Sequence, residues 1–166
     1  MTPNEPLLTA VAGIANACCP LPGLVTGGQP SEAQFRAARA AGAVTVLDIR
    51  DPMEPRPFDE PALAASLGLK YVNISVTGGT LDDPTMEKIL AVLRDPAAAP
   101  VFFHCGSGNR VGGALIPYFM LDKGMAEDDA VALAVCAHQP WHRQTHPGGD
   151  AHLAADCRSG PAKAGG

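Results

Sequence analysis

The chain has 166 residues, a formal net charge of −5 and an isoelectric point near 5.4. An acidic chain without a broad basic patch is a poor partner for nucleic acid. No apolar run reaches bilayer-spanning length, so no membrane partner is expected, and Met1-Thr-Pro-Asn-Glu-Pro6 lacks the positive start and apolar core of a signal peptide. The length predicts one domain with a sizeable core. The five cysteines (Cys18, Cys19, Cys105, Cys136, Cys157) are odd in number and show no disulfide framework. They suit free thiols in a reducing compartment, and the expected location is cytoplasmic. High Ala, Gly and Pro with few aromatics suggests a bacterial source with GC-rich coding.

Residues 1–24 carry little periodicity and are punctuated by Pro3, Pro6, Pro20 and Pro22, which predicts an N-terminal segment along the domain edge. The catalytic domain is expected over 25–136. Gly27-Gly28-Gln29-Pro30 reads as a turn into a helix, with Ser31 as N-cap, Gln34 completing a capping box and Gly42 as the stop. Val44–Ile49 is apolar and β-branched apart from Asp48, a buried strand. Arg50–Asp59 is charged and holds three prolines, a surface loop. A short helix over Pro61–Leu67 stops at Gly68, and Tyr71–Val76 gives a second strand. The loop from Thr77 ends at Asp83, expected to cap a helix with Pro84 at its first position. That helix, Thr85–Arg94, leads to a third strand, Val101–Phe103. Helices over Arg110–Lys123 and Ala126–Cys136 follow. Strands alternating with helices predict an α/β sandwich, a mainly parallel sheet with helices on both sides. In residues 137–166, His138, His142 and His146 recur every fourth position, with His152 and Cys157 beyond. Pro140 and Pro147 argue against the helix that would align them as metal ligands, so a disordered tail and no metal site are expected.

The chemistry concentrates in Val101-Phe-Phe-His-Cys-Gly-Ser-Gly-Asn-Arg110. A strand, a tight loop and a helix start in that order form an anion cradle, with loop N–H groups and the helix dipole favouring negative charge. Gly106 and Gly108 permit the backbone angles of such a loop. A cysteine at its mouth is a candidate nucleophile, and Arg110 can grip two oxygens of a phosphate or sulfur oxyanion at once. The simpler alternative, a buried cysteine ending a strand before an ordinary helix, explains Cys105 alone but not His, Cys, two spaced glycines and Arg together.

Here the chain resembles the cysteine-based phosphatases, and most nearly the beta-lactamase-hydrolase-like, phosphatase-like family, whose members some call sulfur transferases. The resemblance spans roughly Ile14 to Ala134 and rests on Gly27-Gly-Gln-Pro-Ser31, Gly42-Ala-Val-Thr-Val-Leu-Asp-Ile-Arg50 and His104-Cys-Gly-Ser-Gly-Asn-Arg110. It implies a three-layer phosphatase fold and cleavage of phosphate monoesters on a protein or small molecule, without a cofactor. Cys105 would attack phosphorus, while N–H groups from Gly106, Ser107, Gly108, Asn109 and Arg110 hold the equatorial oxygens. His104 would steady the loop. Asp82, in the loop before the helix that precedes the catalytic strand, is the expected acid, with Asp83, Asp51, Glu54 and Asp59 as rivals. Two departures stand out. Four residues separate Cys105 from Arg110, where protein tyrosine phosphatases usually have five, and Val111 replaces the Ser or Thr that often follows the Arg. The shorter loop, with Asp48-Ile-Arg50, also resembles rhodanese sulfurtransferases, which would carry a persulfide on Cys105. A non-catalytic anion-binding module is the third alternative.

Overall fold

The computed structural model describes residues 5–77 and 81–136. The histidine-containing segment beyond Cys136 therefore lies outside the described residues. Five strands form one sheet in the order β1-β2-β5-β3-β4: β1 Cys18–Leu21, β2 Leu24–Gly27, β3 Thr45–Asp48, β4 Lys70–Asn73 and β5 Val101–His104. The four strands β2 to β5 run parallel, and only β1 pairs antiparallel, at the edge beside β2. The helices are α1 Glu5–Ala10, α2 Glu32–Ala40, α3 Glu60–Leu67, α4 Asp83–Arg94, α5 Asn109–Lys123 and α6 Glu127–Cys136.

Successive strand residues face opposite sides of a sheet, so each central strand feeds two cores. Val25, Val46 and Phe102 pack with Leu7, Val11, Phe35 and Leu63 on the side of α1 to α3. Leu24, Leu47, Val101 and Phe103 pack with Ile89, Leu115 and Phe119 on the side of α4 to α6. This is the expected three-layer α/β sandwich. Burying both faces explains why β5 is apolar up to His104 and why the residues of β2 and β3, Thr26 and Thr45 included, are all buried.

Local signals act as their chemistry predicts at several helix ends. Ser31 Oγ accepts the Gln34 N–H while the Gln34 side chain accepts the Ser31 N–H, a complete capping box. Asp59 caps α3, and Gly68 ends it in the left-handed conformation. At α4 the expected roles shift by one residue. Asp82 is the cap, accepting the Thr85 N–H at 2.8 Å, and Asp83 is the first helical residue. The N-terminal segment also differs from its featureless sequence. It contributes α1 and β1, which forms a hairpin with β2 just beyond it, and Leu7, Val11 and Ile14 are buried in the core. Among the described residues no helix is long and apolar enough to cross a membrane.

Candidate active site

The parallel register aligns the last residues of four strands, so that Gly27, His104, Asp48 and Asn73 form one row across the carboxyl edge of the sheet. In open α/β sheets this edge is where ligands bind. Cys105 leaves β5 there, donating its N–H to Gly27 O at 3.3 Å. Its side chain is buried, and the Gly108 N–H donates to Sγ at 3.1 Å. Gly106, Ser107 and Asn109 remain exposed around it. Gly108 ends the loop with φ +94° and starts α5 without a side-chain cap. The loop, its sulfur and the helix start thus meet as the sequence predicts.

The loop is braced from behind by residues far away in sequence. The Gln29 N–H donates to Gly106 O at 2.9 Å, and Asn16 Nδ2 donates to Ser107 O at 2.7 Å. A side chain at residue 28 would put its Cβ only 2.7 Å from Gly106 O, so Gly28 is what lets the two loops touch. His104 is fully buried, stacked on Phe102, with Nε2 3.0 Å from Glu60 Oε2 and Nδ1 3.3 Å from Cys105 O. Glu60 Oε1 also accepts from Arg50 Nη2 at 2.6 Å and from Gln29 Nε2 at 2.7 Å. Arg50 forks onto Asp48 at 3.0 and 2.8 Å and also meets Gln29 Oε1. Asp48 further accepts from Arg56 and Tyr71.

Burial alone would raise the Asp48 carboxyl, but the hydrogen bonds from Arg50 and the charge of His104 hold it well below the usual range. Burial opposes ionisation of Glu60 too, and its partners His104, Gln29 and Arg50 again win. Asp48, Glu60 and His104 place three ligating atoms within 4.8 Å of one another. The Arg50 guanidinium bridges the two carboxylates, so the cation this cluster holds is an arginine side chain.

In front of the loop, Arg110 rises from the first turn of α5. Its Nη1 and Nη2 donate to the two Glu54 oxygens at 2.5 and 2.8 Å, and Nη1 also donates to Val76 O at 3.2 Å. The paired guanidinium lowers Glu54 to about 2. An arginine fork that holds a carboxylate bidentately matches phosphate equally well. Glu54 was foreseeable only as a loop carboxylate. The ring of Asn16, Gln29, Glu60, Arg56 and Tyr71 was not assigned from sequence. Only Gln29 carried a signal, its place in the Gly-Gly-Gln-Pro block.

Of the carboxylates expected as acids, Asp82, Asp51, Glu54 and Asp59 all hold hydrogen-bond partners. Asp82 is exposed, and its hydrogen bond with Thr85 lowers its pKa. Asp51 accepts from the Met53 N–H and from Ser75 Oγ, and Asp59 caps α3. Val111, after the arginine, is buried in the core and brings no hydroxyl to the sulfur.

Comparison with solved structures gives the same architecture. The core catalytic domain of the PP-IP phosphatase Siw14 from S. cerevisiae, solved with citrate, is 16% identical, with 90% of this chain and 87% of that one covered and a TM-score of 0.66. A candidate phosphatase of the DUF442 type from Shewanella putrefaciens CN-32 is 21% identical over 91% of this chain and 94% of that one, with a TM-score of 0.65. TpbA of P. aeruginosa, in complex with phosphotyrosine, is 19% identical over 69% and 67%, with a TM-score of 0.56. At these identities the likeness is one of fold. A comparison with curated protein sequences finds no match. These findings support the cysteine-based phosphatase superfamily and do not reach the narrower beta-lactamase-hydrolase-like name, and they do not favour sulfur transfer. Residues 22–146 match the family model described as DSP-PTPase phosphatase fused to NAD+ kinase, and the chain belongs to that phosphatase family.

Proposed function

We propose that this protein cleaves phosphate monoesters through a thiophosphate on Cys105. The observation that carries the reading is one geometry: a buried sulfur that accepts the Gly108 N–H at 3.1 Å, inside a loop that opens a helix bearing Arg110. Attack by the sulfur forms the S–P bond and expels the ester oxygen. N–H groups from Gly106 to Arg110 and the Arg110 fork hold the three equatorial oxygens in that transition state, and water then displaces the sulfur, breaking the S–P bond and releasing inorganic phosphate. Entry of phosphate requires Glu54 to yield or share the guanidinium. His104 steadies the loop, and no metal or cofactor takes part. The substrate is a phosphorylated protein or small molecule, and the protein acts in the cytoplasm.

Asp82 is the proposed donor of the leaving-group proton. Its support is its place at the carboxyl edge of the sheet, between β4 and α4. Acting as an acid requires it to release the Thr85 N–H and regain a proton when ester binds. Asp82→Asn keeps the cap and is expected to slow an ester with a poor leaving group by roughly 10²-fold, the range of general acid catalysis. An unchanged rate moves the role to Asp51, Glu54 or Asp59. The central test is Cys105→Ser, assayed on an aryl phosphate. The variant should lose turnover yet still bind inorganic phosphate. Full activity would remove Cys105 from the mechanism.

A further inference from the structure

We propose that Asn16 is a positioning residue that sets the direction of the N–H group facing the nucleophilic sulfur. The inference rests on the phosphatase reading of Cys105 and deepens it. In a trans peptide the carbonyl and the following N–H point in opposite directions. Ser107 C=O and Gly108 N–H belong to one such unit. Asn16 Nδ2 takes its oxygen at 2.7 Å on the outer side, and Cys105 Sγ takes its N–H at 3.1 Å on the inner side. Asn16, the peptide and the sulfur thus form one chain of hydrogen bonds. Polarisation along such a chain strengthens the inner bond.

The alternative orientation is easy to reach and harmful. Gly108, at φ +94°, lacks the side chain that would resist rotation of this peptide. A half-turn would aim the Ser107 oxygen at the sulfur and at any bound oxyanion. The amide of Asn16 is what holds the carbonyl outward, as the Gln29 N–H does for Gly106 one peptide earlier. Position 16 makes two demands at once. Its backbone lies at φ +56°, a left-handed conformation that asparagine tolerates better than most residues. Its side chain must also donate rather than accept. Asn16 is half-buried and packs close enough that a Cβ on residue 108 would lie 3.1 Å from its own.

Two variants separate donation from shape. Asn16→Gly keeps the left-handed turn and removes the donor. Asn16→Asp keeps turn and shape and sets an acceptor against a carbonyl. The charged groups around Cys105 remain in both: Arg110 with Glu54 in front, and His104 with Glu60, Arg50 and Asp48 behind. The readout is the pH profile of Cys105 alkylation by iodoacetamide, followed on the Cys105 peptide by mass spectrometry, together with protection by inorganic phosphate. Both variants should move the acid limb to higher pH and require about threefold to tenfold more phosphate for half-protection, the worth of one hydrogen bond. Asn16→Asp should show the larger change. Wild-type profiles in either folded variant overturn the proposal. Loss of fold in one variant leaves the other to decide, and loss in both assigns Asn16 to the fold and overturns it as well. Neither readout needs turnover. A shifted profile in a protein that cleaves no ester would uphold Asn16 and sink the phosphatase reading, whereas an active enzyme with unshifted variants would sink the Asn16 inference alone.

Discussion

Two ionic groups flank the Cys105 loop, and they differ in what surrounds them. Behind it, Asp48, Glu60, His104 and Arg50 are at most 1% exposed, and each polar end meets several partners. In front, the side chains of Arg110 and Glu54 remain 26% and 33% exposed, and they chiefly hold each other. A buried ion pair is expensive to break because the surviving charge has no water. A half-exposed pair exchanges its partner readily. The rear group therefore suits a fixed frame, and under the proposed function the front group is where an anion would trade places with a carboxylate.

The largest expected effect breaks the frame. Glu60→Ala strands Arg50 and His104 and should lower unfolding stability by about 3–5 kcal/mol, read from urea denaturation. A loss below about 1 kcal/mol would show that water or a rearrangement replaces the carboxylate, and that the rear is no frame.

Next comes the front cation. Arg110→Lys keeps the charge but loses the planar fork, and kcat/KM on an aryl phosphate should fall by an amount on the order of 3 kcal/mol. Stability in urea should change by less than about 1 kcal/mol, because the pair is half-exposed. Equal damage to stability and activity would erase the distinction between front and rear.

The smallest effect is in pH. Glu54 is lowered from 4.5 to about 2 by Arg110. A depressed carboxyl contributes stability above its unfolded value and loses that contribution as pH falls through its folded value. The gap in stability between wild type and Glu54→Gln should thus be constant above pH 4.5 and close towards pH 2, with a size of about 1 kcal/mol or less. A gap that widens on acidification would mean that Glu54 does not ionise beside Arg110.

What was legible in the sequence was mainly local. The capping box at Ser31 and Gln34, the stop at Gly68 and the strand-loop-helix around Cys105 all involve residues a few positions apart. The exchange of Asp82 and Asp83 shows the resolution of such signals. Either aspartate can cap a helix with Pro84 in its first turn, at the first or the second position, and only the register of that turn decides which one does. The bracing ring was illegible for a different reason. Asn16 reaches Ser107 across 91 positions, and Glu60 reaches His104 across 44. In sequence Glu60 is simply an acidic residue at a helix start, with nothing to mark its burial. Residues 1–24 looked featureless because prolines hide the short strand β1, whose partner β2 lies mostly beyond them, and because Asn16 finds its partner in the loop after β5.

The strand order has a consequence for how the molecule comes into being. Among the described residues β5 is the last strand in sequence and the middle one in the sheet, lying between β2 and β3. A ribosome releases the amino end first, so β1–β2 and β3–β4 emerge as two pairs with no strand to join them. Until Val101–His104 arrives, β2 and β3 each present an unpaired edge of the kind that recruits other chains. The same insertion that closes this gap delivers Cys105 against Gly27. Placement of the Cys105 thiol and completion of the sheet are therefore one event, so a partly made chain positions its proposed nucleophile no earlier than its fold.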